Sequence, residues 1–247
     1  MILIGANGNA VKSIRFKKFI DLGDAVNTVS LFNAFEVDEL VILDIHATRQ
    51  GRPFNPQLMA DLASEAHIPL SVGGGVSSLK AIGALLTAGA EKVILSSAAL
   101  ARPEFVREAT ERYGSSSITV CLDCRRDWLG RRRLVSRGAK VEAPNSPPDA
   151  ARLMEQMGAG ELIVQSVEHD GMMQGYDIEL VAAVADEVGL PVIALGGAGR
   201  FEHLLEARRA CNASAFAGGS MFCFQDEDRG VLISYPGRET LRMLASQ

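Results

Sequence analysis

The sequence has no apolar run near the ~18 residues of a helical membrane span, no block of like charges, and only four cysteines among 247 residues. The first absence removes a membrane-spanning helix. The start lacks a basic region followed by a long apolar core, so no secretory leader is expected. Sparse cysteine argues against a disulfide scaffold and fits a reducing, cytoplasmic setting. Cys121 and Cys124 form a C-x-x-C, but no second pair follows, and the surrounding SITVCLDC reads as a buried strand in which both thiols pack. A net charge of −5 gives nucleic acid no electrostatic handle. The one basic cluster, Arg125, Arg126, Arg131, Arg132 and Arg133, is broken by Asp127 and Trp128 and reads as a solvated hairpin or loop. No Gly-rich turn carries a Walker lysine, and GANGNA at 5–10 lacks the spacing of a dinucleotide fingerprint.

What the sequence does contain is alternation. Short β-branched runs at 2–5, 39–44, 69–73, 92–97, 117–123, 161–166, 191–195 and 214–218 are separated by stretches with apolar residues at i, i+3 and i+4, such as SSLKAIGALLTAGA and PPDAARLMEQMGA. Eight strands with intervening helices in a chain of this length predict an α/β fold of the (β/α)8 TIM-barrel type, with an open doubly wound sheet as the alternative. The second half echoes the first at roughly 120 residues' spacing. DELVILDIHA matches GELIVQSVEH, IPLSVGGGVSSLKAI matches LPVIALGGAGRFEHL, and AEKVILSSAA matches ASAFAGGSMF. One barrel domain over 1–247, built from half-barrels of about 1–115 and 116–247, is the expected organisation.

In a barrel the chemistry belongs where strands end and βα loops begin. Gly73, Gly74 and Gly75 precede Ser77 and Ser78, which can cap a helix near Leu79, and the neighbouring strand ends at Ser96 and Ser97. Backbone free of side chains at a helix start can present several N–H donors to a phosphate. Gly196, Gly197, Ala198 and Gly199, beside Gly218, Gly219 and Ser220, repeat the arrangement in the second half. Two such loops suit a substrate phosphorylated at both ends; the alternative is that the glycines only permit tight turns. Asp44, Asp123 and Asp170 sit at or after strand ends, where a carboxylate can act as general acid or base. An ion pair with Arg125 or Arg126 is the structural alternative for Asp123. His46 and His169 correspond between the halves, but no third ligand has metal-site spacing, so neither a metal nor a cofactor is expected.

The motifs DELVILDI-A, IPLSVGGGV, CLDCRR, GAGELIVQSVEHDGMMQGYD, LPVIALGGAG and FAGGSMFCF together resemble HisF, the cyclase subunit of imidazole glycerol phosphate synthase, over nearly the whole chain. The resemblance implies a half-barrel-duplicated fold, a doubly phosphorylated aminoimidazole carboxamide ribotide substrate, and ammonia supplied by a HisH-type glutaminase. It implies that Gly75, Ser96 and Ser97 hold one phosphate, and that Asp170, Gly171, Gly197, Gly219 and Ser220 hold the other. Asp123 matches one of the family's two catalytic aspartates. Glu39, Lys92 and Glu161 match members of a charged ring at the bottom of the barrel, where ammonia enters.

The first strand departs from the family. Aligned on Gly8 and Lys12 against C-L-D-V-K-D-G-R-V-V-K-G, it puts Ile4 at the other catalytic aspartate and Asn7 at the second acidic position. Ser96-Ser97 replaces an Asn-Thr pair, and Leu195 replaces a small polar residue. Isoleucine cannot transfer a proton. The resemblance is closer to divergent members from surface-polysaccharide gene sets, which pass ammonia to a sugar amidotransferase that amidinates an N-acetyl sugar of lipopolysaccharide, O-antigen or flagellin glycan. Two alternatives stay open: a true histidine-pathway cyclase, and a non-catalytic scaffold that activates the glutaminase.

Overall fold

The computed structural model describes residues 1–136, 143–225 and 229–245. Eleven strands form one sheet: β1 Ile2–Ile4, β2 Ala10–Ile14, β3 Lys18–Gly23, β4 Leu40–Asp44, β5 Leu70–Gly73, β6 Lys92–Leu95, β7 Ile118–Arg126, β8 Arg132–Leu134, β9 Glu161–Ser166, β10 Val192–Leu195 and β11 Ala215–Ala217. Eight of them run parallel in the order β1-β4-β5-β6-β7-β9-β10-β11 and make a TIM barrel. At the meeting of the two ends, the Met1 nitrogen donates to the Gly218 carbonyl at 2.7 Å. All eight expected strands are present. The additions are an antiparallel hairpin, β2–β3, on β1, and a short β8 folded back on β7.

Helices cover the outside, and local sequence sets where they start. Asp24 accepts from Asn27 N–H ahead of α1, Ala25–Ala34. Asn55, followed by Pro56, caps α2, Pro56–Glu65. Ser78 accepts from Ala81 N–H at 3.2 Å and opens α3, Leu79–Thr87, where a cap is expected. Next come α4 Ser97–Ala101, α5 Glu104–Tyr113 and α6 Pro147–Gln156. The chain continues through α7 Ile178–Ala185, α8 Phe201–Ala210, α9 Ser220–Cys223 and α10 Arg238–Ala245. No described helix is long and apolar enough to cross a membrane.

Side chains of a strand alternate between faces, and here the alternation separates two cores. Ile2, Ile42, Val72, Val120, Leu122 and Val164 pack outward against helices. Leu3, Val41, Ile94, Cys121, Ile163, Ile193 and Leu195 fill the barrel. The same period rules out a joint role for the C-x-x-C thiols. Cys121 lies inside and Cys124 outside, both buried and unbridged, as the packing reading expects. Burial pushes the thiols up, that of Cys124 beyond the ordinary cysteine range.

The basic cluster is a hairpin, as expected. Asp127 accepts from Leu129 and Arg131 N–H groups and pairs with Arg131 and Arg133. Arg126 and Arg132 pair with Asp177, the cap of α7, and Arg125 with Glu168. Burial works to raise the Asp177 carboxyl, but Arg132 and the Leu180 N–H hold it below the usual range. The five guanidinium groups are therefore matched within the chain, and Trp128 stands at the tip.

Candidate active site

Inside the barrel, residues two apart on one strand stack into three levels. On β6 and its loop the series is Lys92, Ile94, Ser96; on β7 it is Thr119, Cys121, Asp123; on β9 it is Glu161, Ile163, Gln165. Each strand thus carries a charged or hydroxyl group at the bottom, an apolar group in the middle and a polar group at the mouth.

The mouth is a cavity of about 370 Å³. Gly75, Ser96 and Ser97 come together in its wall with Gly74 and Ser77. Gly75 is fixed by geometry. Its φ is +64°, and a Cβ there would fall 1.9 Å from the Arg52 carbonyl. Asp123 lines the same cavity, with the Cys121 thiol, kept protonated by burial, donating to it at 3.7 Å. Beside it stands Gln165, which sequence reasoning missed; its Nε2 is buried and has no hydrogen-bond partner among the described residues. Asp44 is committed to structure. One oxygen accepts from His46 and Ala47 N–H groups, and the other pairs with Arg52 at 2.7 Å. His169 Nδ1 lies 2.8 Å from Ser166 Oγ, and the buried His203 on α8 accepts from the Gly199 N–H.

The structure corrects the first strand by one residue. Ile4 packs in the outer core, whereas Leu3 points into the barrel and lines the mouth cavity. A gap-free alignment through a turn ignores a one-residue change in its length, and a slip of one exchanges the faces of a strand. The apolar residue in the cavity wall is Leu3, and β1 contributes no acid there.

The second loop looks different. Asp170, Gly171, Gly197, Gly219 and Ser220 are gathered around a cleft of only about 10 Å³. Asp170 accepts from Ser13 Oγ at 2.6 Å and from Phe16 N–H at 3.2 Å, and its carbonyl accepts from Arg15 N–H. Gly171, at φ +68°, lies so close to the hairpin that a Cβ would sit 2.1 Å from the Ser13 carbonyl. Both residues therefore strap the β2–β3 hairpin to the mouth, where Phe16 and Phe19 line the cavity. The cleft also holds Lys12, only 2% exposed, whose ammonium donates to the Met1 carbonyl at 3.2 Å. Lys12 is legible in the sequence as a lone cation among the apolar residues of AVKSI.

At the bottom, the three expected ring residues meet. Lys92 Nζ lies 2.9 Å from Glu39 and 3.0 Å from Glu161, while Ser71 and Thr119 donate to the same carboxylates. Burial works to lower the Lys92 pKa, but the hydrogen bonds from its ammonium to Glu39 and Glu161 outweigh it and hold the group above its ordinary value.

Eight parallel strands with polar side chains collected at their C-terminal ends define a TIM barrel of the kind that handles small molecules at that face. The chain belongs to the histidine biosynthesis protein family, whose profile matches residues 4–227. It is 37% identical over 226 residues, 92% of this chain and 90% of the relative, to a provisionally named imidazole glycerol phosphate synthase subunit hisF2 of Pseudomonas aeruginosa. It is 35% identical over 239 residues, covering 96% of this chain and 94% of the other, to a provisionally named HisF subunit of Leptospira interrogans. With the imidazole glycerol phosphate synthase subunit HisF of Staphylococcus carnosus the identity is 37% over 234 residues, 93% and 91% of the two chains.

Proposed function

We propose that this HisF-like chain is the ammonia-receiving subunit of a glutamine amidotransferase, paired with a HisH-type glutaminase at the Glu39–Lys92–Glu161 ring, and specialised for amidination of an N-acetyl sugar in lipopolysaccharide, O-antigen or flagellin glycan assembly. The observation that carries the specialisation is Leu3 in the cavity wall where β1 ends. A hydrocarbon at the mouth cannot hold or release a proton, and losing one general acid/base typically removes a factor of ~10²–10⁴. A relative over nearly the whole chain, the provisionally named hisF2 subunit, carries a name distinct from that of the ordinary subunit, in keeping with this reading.

The residues support a division of labour. The ring offers a charged, partly accessible docking surface at the bottom. The apolar level of Val41, Ile94, Cys121 and Ile163 favours neutral ammonia over ammonium, because burying an unpaired charge is costly. At the mouth, Gly75, Ser96 and Ser97 would hold a phosphorylated small molecule, and Asp123, the remaining candidate for proton transfer, faces it from β7. A sugar amidotransferase would then receive the ammonia.

The retained residues of both phosphate loops favour a second reading, a true imidazole glycerol phosphate synthase cyclase working with Asp123. Turnover of the aminoimidazole carboxamide ribotide substrate by the purified chain, in excess ammonium salt at alkaline pH, separates the two. The proposal expects a folded protein with no conversion. Conversion near that of an ordinary cyclase overturns it. A scaffold role without ammonia passage is separated by substituting Lys92 or Glu161 in the complex. Unchanged coupling of glutamine hydrolysis to product formation would remove the conduit.

A further inference from the structure

Gln165 ends the inward-facing series of β9, beyond Glu161 and Ile163, and stands in the wall of the mouth cavity. The residue is only 2% exposed, yet its Nε2 has no hydrogen-bond partner among the described residues. Its partners in register show why the protein leaves it unsatisfied. Leu195 on β10 is hydrocarbon, and Asp123 on β7 does not accept from Nε2. A buried amide donor without an acceptor is costly, and the space that Gln165 borders is the cavity. The wall limits what the acceptor can be. Leu3, Ile94 and Cys121 of the barrel core line the same cavity and offer it no strong donor or acceptor. Asp123, side by side with Gln165 in the sheet, repels a second anion and accepts N–H groups when ionised. The group that suits both residues is neutral and carries an acceptor oxygen next to an N–H, as an unsubstituted carboxamide does.

We infer that Gln165 is a specificity-determining residue of the mouth, donating from Nε2 to the carbonyl oxygen of a ligand carboxamide whose N–H faces Asp123. The inference rests on the reading of the mouth as the site of a phosphorylated small molecule, and adds the group that such a ligand carries away from its phosphate. Gly75, Ser96 and Ser97 lie in the same wall as Gln165 and Asp123. A cavity of about 370 Å³ is large enough for one small molecule to reach both.

Calorimetric titration of the full chain with nicotinamide mononucleotide and with nicotinate mononucleotide tests this, because the two probes share a phosphate and differ in carboxamide against carboxylate. The carboxamide probe is expected to bind at least about 10-fold more tightly, since the carboxylate meets Asp123. Gln165→Leu weakens the carboxamide probe by about 3- to 10-fold, the loss of one hydrogen bond. Gln165→Glu, which turns an acceptor towards the carbonyl oxygen, weakens it at least as much. Inorganic phosphate bound by both variants as by the unaltered chain shows that they are folded. Equal binding of the two probes, or a carboxamide affinity that Gln165→Leu leaves unchanged, overturns the inference while phosphate binding keeps the reading of the mouth. Absence of binding of both probes and of phosphate overturns the two together.

Discussion

Replacing Lys92 with methionine removes the only cation hydrogen-bonded to both Glu39 and Glu161 among the described residues. Truncating one partner of a fully buried ion pair costs about 3–5 kcal/mol, and exposed pairs contribute about 0–1. The Lys92 side chain is 21% exposed and those of Glu39 and Glu161 26% and 14%, which places the loss between these limits, near 2 kcal/mol at neutral pH. For a chain of this size that corresponds to a fall in Tm of roughly 4–8 °C. The pH dependence is the sharper test. Burial works to lower the Lys92 pKa but its hydrogen bonds to Glu39 and Glu161 raise it, so its contribution is full below the ~10.4 of an unfolded lysine and is lost as pH climbs through the folded value. Urea denaturation of both proteins at about pH 7.5 and about pH 11.5 reads this, with the full deficit expected at the lower pH and a smaller one at the higher. A deficit of equal size at both would refute the electrostatic reasoning.

Gly75→Ala meets both a positive φ and the Arg52 carbonyl. It is expected to cost more than ~1–3 kcal/mol and to weaken phosphate binding at the mouth; unchanged stability by denaturation and unchanged affinity by titration would contradict the contact. Trp128, the single tryptophan, is 90% exposed on a turn organised by Asp127. Trp128→Ala is expected to change stability by less than about 0.5 kcal/mol, and native fluorescence should be fully quenched by acrylamide; a protected, blue-shifted emission would show the tip to be covered.

Much of the barrel is legible in the sequence because each core strand is a β-branched run bounded by turn residues, and ELVILD, KVILSS and ELIVQS fold where they are expected. The β2–β3 hairpin is not, because its turn is made by Arg15 and Phe16 at φ +51° and +57°. These residue types do not announce a turn that glycine or asparagine would. Their conformation is held by Asp170, some 155 residues away, a contact no local pattern encodes. The candidate site divides the same way. Gly75, Ser96, Ser97 and Asp123 are found together because strand ends locate them. Lys12 and Gln165 do not stand out in the sequence because a polar group among apolar neighbours reads as a strand's ordinary alternation. Leu3 and Ile4 are separated only by which face a one-residue slip presents.

The three-level interior has a mechanical consequence. Between the charged ring and the mouth lie Val41, Ile94, Ile163 and Ile193, four β-branched side chains on four strands, with Cys121 among them. Such side chains have few rotamers and cannot fold aside singly, and a packed interior moves only when neighbours move together. The barrel is therefore closer to a diaphragm than to a pipe. The ring and the mouth are separated by side chains that belong to several strands, so a change in the spacing of one strand is felt across the whole layer.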